Sequence, residues 1–299
     1  MDYLEKHPMI MIVTGIIGIS LSAIFVKYSQ APSSVTAAYR LLWTVLLMSP
    51  VVLFKKNRRQ ELINTDPRTV VLCAVSGIFL ALHFILWFES LKHTSVASST
   101  TIVCTEVIWV ALGFCLFMKG RISKAAVSAI LITIAGSVMI AFSDSSAGGN
   151  HLYGDVLSLI AAISVAVYTL IGRFARATTS TTIYTYIVYF FSAVTLVLIT
   201  VVQGVPMTGY GPSGIIVGLL LSVFSTILGH SIFSWCLKFL SPAFVSASKL
   251  CEPVVAAAFA AVLFREIPKP LQVLGGAVII GGVIFYSRIE ARQNEKATY

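Results

Sequence analysis

The sequence predicts an all-helical integral membrane protein with ten transmembrane helices. Its 299 residues are 57% hydrophobic and 11% charged, with a mean hydropathy of +0.91. A soluble domain carries about 25% charged residues. The apolar residues fall in separate stretches of about twenty residues, which is the length that crosses roughly 30 Å of hydrocarbon. This composition excludes a disordered chain, a nucleic-acid-binding module and an ordinary soluble enzyme.

Hydropathy and helix-breaking residues set the expected bounds of the ten helices. The first apolar run follows Lys6 and is longer than the core of a signal peptide, so we expect it to be retained. Ala31-Pro32-Ser33-Ser34 separates the first two helices, and a polar stretch from Ser143 to Gly154 divides the chain near its middle. The expected helices are 9–27, 35–54, 70–91, 96–118, 124–142, 154–172, 181–203, 214–237, 243–264 and 271–287.

The distribution of Lys and Arg predicts the orientation. With a cytoplasmic N-terminus, fifteen basic residues lie in cytoplasmic segments and four at the outer ends of helices. This asymmetry is the positive-inside pattern, so we expect both termini in the cytoplasm and the protein in the cell membrane. The net charge of +9 then indicates contact with an anionic bilayer surface and no nucleic-acid partner.

The two halves of the chain resemble each other. Residues 91–141 align without gaps onto 237–287 when shifted by 146 positions, and nine positions are identical, among them Glu106/Glu252 and Gly136/Gly282. We therefore expect two five-helix units, at 1–147 and 148–299. Because five is an odd number, the second unit must cross the bilayer in the opposite direction. Inverted repeats of this kind form the exchangeable halves of many secondary transporters.

Specific motifs recur in both halves. They are Tyr39-Arg40, Leu91-Lys92-His93-Thr94-Ser95, Glu106-Val107, Leu237-Lys238-Phe239-Leu240-Ser241, Glu252-Pro253 and Phe264-Arg265-Glu266. In these motifs the chain resembles the drug/metabolite transporter superfamily, in its ten-span branch with two EamA-type domains. Val107 departs from the proline usual after that glutamate, and Gly120-Arg121 lacks the acid that Glu266 supplies. Small relatives carry an essential glutamate in their first helix, but the first helix here has no acid.

Two acids are the leading candidates for a transport site. Glu106 lies about 15 Å along the fourth helix and Glu252 about 14 Å along the ninth, at 1.5 Å per residue. Inserting an ionisable side chain at such depth costs about 2.5–3.5 kcal/mol of free energy, so the presence of each acid needs an explanation. They either hold substrate and coupling protons near the midplane, or are neutralised and only pack.

Other polar side chains accompany these acids. Lys249 lies three residues before Glu252, so it either pairs with that acid or binds a substrate carboxylate. His83 and His230 lie in equivalent helices and either pack or carry a coupling proton. Thr105 and Trp109 flank Glu106, and Trp109 is a candidate cavity wall.

Two further sets of residues are expected to be structural. Arg40 lies about 8 Å into the second helix, close enough to snorkel, and belongs to a motif of the resembled family. The fifth helices of the two halves carry five glycines between them, which permit close helix packing, either between the halves or in a homodimer. They are Gly136, Gly275, Gly276, Gly281 and Gly282.

The sequence contains no nucleotide-binding loop and no clustered metal ligands, so it predicts neither a cofactor nor a metal. We expect a secondary transporter with a midplane cavity between the first, third, fourth, sixth, eighth and ninth helices. By resemblance, the leading cargo is an exported amino acid or related small polar metabolite, with nucleotide-like metabolites and organic cations as alternatives. A channel or an intramembrane enzyme is the alternative of another class. A monomer and a homodimer both fit the sequence.

Overall fold

The computed structural model describes residues 8–94, 96–120, 122–144, 152–264 and 269–298, and each secondary-structure element in these ranges is helical. Eight helices within them are long and apolar enough to cross a membrane. The expected helix at 124–142 yields a shorter apolar segment, Lys124–Met139, and the one at 243–264 is interrupted. An all-helical membrane architecture is therefore shown, while the ten crossings and the location of the termini stay predictions.

The helices of the first half are numbered in chain order. They are α1 (Pro8–Ser20), α2 (Ser22–Lys27), α3 (Ser33–Leu53), α4 (Lys56–Ile63), α5 (Pro67–His93), α6 (Val96–Cys104), α7 (Glu106–Met118) and α8 (Lys124–Asp144). The short helix α4 is not among the sequence predictions. Helix α5 begins earlier than residue 70 because the Asp66 side chain accepts hydrogen bonds from the backbone N–H groups of Arg68 and Thr69.

The second half contains α9 (Leu152–Ala175), α10 (Thr181–Val202), α11 (Gly211–Leu220), α12 (Ser231–Cys236), α13 (Pro242–Ser248), α14 (Glu252–Phe264) and α15 (Pro270–Thr298). A π-helical segment, Leu221–His230, joins α11 to α12, and a 3₁₀ turn, Lys249–Cys251, joins α13 to α14. The predicted last span, 271–287, falls within the apolar segment Pro270–Ile289, and α15 itself continues with polar residues to Thr298.

Four helices that the sequence predicts as continuous are interrupted, at Leu21, at Thr105, over Leu221–His230 and over Lys249–Cys251. Pro253 explains the last interruption, since proline lacks the N–H that would continue the helical bonding. In the first half Val107 replaces that proline, yet the helix still breaks. There the Thr105 hydroxyl bonds the Ile102 carbonyl at 2.6 Å, and the Thr105 carbonyl accepts from Ile108 three residues on.

The packing of the helices joins the two halves of the chain. One buried core is built mainly from α3, α5, α9, α10 and α11, and a second mainly from α1, α7, α8, α12, α13 and α15. Each core combines helices from both halves. The two expected repeats therefore share both buried cores.

Helices α8 and α15 cross at very short distance, and small residues make this possible. A Cβ atom at Gly136 would lie 2.7 Å from the Gly275 carbonyl oxygen, and one at Gly282 would lie 2.4 Å from the Thr133 hydroxyl. Gly276 instead faces Val254, and Gly281 has nothing within 4 Å of its Cβ position. The two halves thus pack through Gly136, Gly275 and Gly282, whereas Gly281 takes no part in this contact.

We expect Gly136→Ala to lower the stability of the folded protein by about 1–3 kcal/mol, because the added methyl group meets backbone that cannot turn aside. The measurement is the melting temperature of the purified protein in a mild detergent. Gly281→Ala is the matched control, and it should be neutral or stabilising by up to about 1 kcal/mol. Equal melting temperatures for the two variants would contradict the close crossing of α8 and α15.

The short helix α4 is attached to the start of α10. The Glu61 carboxylate accepts hydrogen bonds from the Ser180 backbone N–H and from the Arg58 guanidinium, each at 2.9 Å. Burial acts to raise the pKa of Glu61, but the hydrogen bonds from Ser180 and Arg58 outweigh it, so the pKa lies below its ordinary value. The charged carboxylate therefore fixes the connection between α3 and α5 against α10.

Candidate functional site

A cavity of about 40 Å³ lies within the helix bundle. It is bounded by the α1–α2 pair, α5, the α6–α7 pair, α9, the π-helical segment and the 3₁₀ turn that leads into α14. These are the six helices between which the sequence places a cavity. The polar and charged side chains on its wall are Ser22, His83, Thr100, Glu106, His230, Lys249 and Glu252.

An ion pair crosses the cavity wall from one half of the chain to the other. The Lys249 ammonium donates to a Glu106 carboxylate oxygen at 2.9 Å, and the two side chains are 11% and 6% exposed. The alternative that Lys249 pairs with the neighbouring Glu252 is wrong for the described residues, since its ion pair is with the acid 143 positions away. The ammonium is already committed to a carboxylate of the protein.

The two glutamates occupy equivalent positions but have different surroundings. Glu106 is the first residue of α7 and Glu252 the first residue of α14, so both carboxylates lie at the positive end of a half-helix. Glu106 is neutralised by Lys249. Within the described ranges no hydrogen bond or ion pair reaches the Glu252 carboxylate, although the Glu252 carbonyl accepts from the Ser20 hydroxyl at 3.3 Å. Glu252 is therefore the acid available to a ligand.

Aromatic rings cover one side of the cavity. His83 stacks on Trp87 with centroids 6.1 Å apart and planes 12° apart, and its centroid lies 6.3 Å from that of His230. The His83 Nδ1 atom donates to the Ala161 carbonyl at 3.1 Å, since a carbonyl can only accept. This bond ties the ring to α9. The Nδ1 atom of His230 is buried without a partner among the described residues.

Two residues that the sequence places beside Glu106 do not line the cavity. Thr105 is occupied by its bond to Ile102, and the Trp109 ring lies outside the wall, with its Nε1 buried and without a partner in the described part of the chain. Trp87, by contrast, is only 5% exposed and forms the aromatic wall of the cavity. Its position four residues after His83 places it on the same helical face, and that spacing was the available signal.

Arg40 does not extend to the membrane surface, contrary to the snorkelling expectation. Its side chain is completely buried, with the Nε atom bonded to the Thr226 hydroxyl at 2.7 Å and the guanidinium carbon 3.9 Å above the centre of the Phe84 ring. The Phe84 centroid is 5.2 Å from those of both His83 and His230, which line the cavity. The guanidinium is thus one aromatic ring away from the cavity.

The wall therefore offers one neutralised ion pair, one acid without a partner and a set of aromatic and hydroxyl groups. A carboxylate beside aromatic rings attracts a cationic group and can itself hold a proton. No cluster of three His, Cys, Asp or Glu side chains in the ranges listed above has the arrangement of a metal site.

Comparison with known proteins gives the family. The profile of the EamA-like transporter family matches residues 7–142 and again residues 152–288. A protein of Clostridium kluyveri named as an uncharacterized transporter is 22% identical over 291 residues, which cover 91% of this chain and 93% of that protein. The pseudopaline exporter CntI of Pseudomonas aeruginosa is 26% identical over 237 residues, covering 77% of this chain and 79% of the exporter.

A solved crystal structure has the same fold. It superposes with a TM-score of 0.78 over 96% of this chain and 99% of its own, at 17% sequence identity. The two family matches cover nearly the whole chain, and they fall on the two halves that the repeated motifs predict. The chain belongs to the EamA-like transporter family, within the drug/metabolite transporter superfamily.

Proposed function

We propose that this protein is a secondary transporter that exports a small polar metabolite of the amino-acid class across the cell membrane. In this proposal the two halves alternately open the cavity to either side of the bilayer, and both termini lie in the cytoplasm. The excess of Lys and Arg in the expected cytoplasmic segments supports that orientation. Export is supported by the printed name of the Pseudomonas aeruginosa relative, which is an exporter.

The observation that carries the proposal is the Glu252 carboxylate on the cavity wall, beside the neutral Lys249–Glu106 pair. An ammonium group of a cargo molecule would meet an acid that has no competing cation bonded to it. The wall also supplies hydroxyl groups from Ser22 and Thr100 for polar groups of the cargo. A midplane acid of this kind is able to exchange a proton for the cargo, which would couple export to proton entry.

The helix interruptions support alternating access. In transporters the binding site is commonly formed by discontinuous helices, whose ends present backbone groups and dipoles to the cargo. Here the breaks at Leu21 and Thr105, the π-helical segment and the 3₁₀ turn all belong to helices that bound the cavity. Interrupted helices can bend at these points while their halves stay rigid.

One observation favours a second cargo class. Trp87 and His83 form a stacked pair on the same wall as Glu252, and an aromatic face beside an acid suits an organic cation without a carboxylate. Organic cations are therefore the second candidate. The two candidates differ in whether the cargo must carry a negative group as well as a positive one.

The test of the proposed function is efflux from liposomes that contain the purified protein. The liposomes are loaded with a radiolabelled amino-acid mixture, and efflux is followed with and without a proton gradient. We expect saturable efflux that an unlabelled amino acid blocks and that the gradient accelerates. Trp109→Phe, which alters a residue outside the cavity wall, is the control variant and should transport normally.

Efflux no faster than from liposomes without protein would reject amino acids as cargo. The same preparation would then be tested with organic cations and nucleotide-like metabolites. Current that does not saturate, or conversion of a substrate in detergent solution, would instead indicate a channel or an enzyme.

A further inference from the structure

Arg40 is a buried cation that forms no ion pair in the described structure, although the Glu252 carboxylate lies near enough to act on it electrostatically. Its side chain has no solvent exposure, and no carboxylate in the described ranges forms an ion pair with it. A guanidinium carries five N–H groups, and the Nε–H alone is satisfied, by Thr226. The Nη1 and Nη2 atoms are buried and have no hydrogen-bond partner. Four donors of one charged group therefore point at no described acceptor.

Such an arrangement calls for a missing partner. Buried polar groups in folded proteins are almost always hydrogen-bonded, and an exception indicates an unseen water or ion. The Phe84 ring balances part of the charge through its face, but a ring face beneath the guanidinium carbon leaves the in-plane N–H groups unsatisfied. A planar fork of N–H donors matches a carboxylate or another small anion better than any other partner.

Further polar groups without hydrogen-bond partners lie on the π-helical segment to which the Arg40 side chain is bonded. The π-helical segment supplies Thr226, and it also contains Ser225 and His230, whose Oγ and Nδ1 atoms are buried without partners in the described chain. The Thr226 hydroxyl also bonds the Leu221 carbonyl five residues earlier, which is a consequence of the wider helix. A π-helix inside a transmembrane segment is a frequent mark of a functional site.

The position of this group relative to the cavity suggests how an anion would reach it. Arg40 lies directly behind Phe84, whose ring contacts the cavity-lining His83 and His230. Rotation of this one ring, or a shift of the π-helical segment, would expose the guanidinium to the cavity. Lys249 is a weaker candidate for the same role because its ammonium is already bonded to Glu106.

We propose that Arg40 forms a buried anion-binding subsite with the π-helical segment, and that it takes a carboxylate or a monovalent anion of similar size. The anion has two possible sources, the carboxylate of the cargo or a free ion such as chloride. The first source rests on the proposed function. If Glu252 binds the ammonium group of the cargo and Arg40 binds its carboxylate, the cargo is a zwitterion. The second source is independent of transport.

The first experiment needs no knowledge of the cargo. The melting temperature of the purified protein in detergent is measured while gluconate is replaced by chloride or by acetate at constant ionic strength. We expect a saturable rise with at least one of the two small anions in the wild type and none in Arg40→Gln. Arg59→Gln removes the same charge from an exposed position and should keep the wild-type response. Arg40→Lys keeps the charge but not the planar fork and should show a weakened response.

The second experiment separates the two sources of the anion. Binding of a transported amino acid to the wild type is compared with binding of the amine that lacks its carboxylate. If the wild type binds the amine at least tenfold more weakly than the amino acid, and Arg40→Gln does not show this difference, the subsite is assigned to the cargo carboxylate. Equal binding of both ligands, together with stabilisation by chloride, assigns it to a free anion.

Two results would overturn the subsite whether or not the protein transports amino acids. One is a wild type that neither chloride nor acetate stabilises relative to gluconate and that binds the amine as well as the amino acid. The other is stabilisation that Arg40→Gln retains in full, since the anion would then bind elsewhere. If Arg40→Gln does not fold, the anion titration of the wild type is still compared with that of Arg40→Lys and Arg59→Gln. Failure of efflux alone would count against the proposed function and not against the subsite.

Discussion

Replacing Lys249 with methionine while Glu106 is left in place is expected to destabilise the protein by about 3 kcal/mol or more, because a buried carboxylate then has no counter-ion. Glu106→Gln should have a comparable effect, since it leaves the ammonium unpaired. The double variant Glu106→Gln/Lys249→Met removes both charges and should recover most of the lost stability. Melting temperatures in detergent measure all three.

The exposed Lys56→Met is the matched control for loss of one ammonium group and should leave the melting temperature almost unchanged. A double variant that is no more stable than the worse single variant would contradict the assignment of the pair. The two substitutions would then act independently, and the 2.9 Å contact would not hold the two halves together.

Replacing Glu252 with glutamine is expected to abolish the response of transport to a proton gradient while leaving the protein folded. No described group depends on the Glu252 carboxylate for a hydrogen bond, and glutamine has nearly the same shape. The measurements are gradient-driven efflux and gradient-free exchange of labelled for unlabelled cargo. The acceleration of efflux by the gradient should be lost, while exchange should continue if the amide still binds the cargo.

The control for this second prediction is Glu89→Gln. Glu89 forms ion pairs with Lys92 and His93 at the end of α5 and does not line the central cavity, so its loss should leave coupling intact. Normal gradient-driven efflux in Glu252→Gln would show that another group carries the proton. His83 and His230 would then be the next groups to substitute.

The helices and the internal repeat could be predicted from the sequence, because both are visible in the pattern of residues along the chain. The alignment of Glu106 with Glu252 is reflected in the structure by two half-helices that each begin at the aligned glutamate. The matched Gly136 and Gly282 likewise make matched close contacts between α8 and α15. The glycines meet equivalent neighbours, whereas the two glutamates share only their position at the start of a half-helix.

Contacts between distant parts of the chain were less predictable. Lys249 lies three residues from Glu252, but its partner is Glu106 in the other half. Helical spacing gives the face on which a side chain lies, but it does not tell which of two acids a neighbouring helix brings closer. The burial of Arg40 has the same origin, since its depth along α3 does not reveal that α5 and the π-helical segment cover its side chain.

The helix interruptions show a further limit of local pattern. Pro253 was visible in the sequence and explains the 3₁₀ turn before α14. The break at Thr105 depends on one hydroxyl that turns to the Ile102 carbonyl, and many threonines in helices make such bonds without a break.

Binding of cargo in the cavity between Glu252 and the Lys249–Glu106 pair can be tested directly, and Cys104 is a natural probe of it. Cys104 lines the cavity and is 6% exposed, whereas Cys115 is exposed on the outside of α7. Two chains are made, one that keeps Cys104 as its sole cysteine and one that keeps Cys115. The rate of alkylation by N-ethylmaleimide is then measured in each, with and without cargo.

At a cargo concentration of about ten times Kd, we expect alkylation of Cys104 to slow about tenfold, because occupied molecules exclude the reagent. Alkylation of Cys115 should not change. If a transported amino acid leaves the alkylation rate of Cys104 unaltered, the cargo does not occupy this cavity, and the account of the site is wrong.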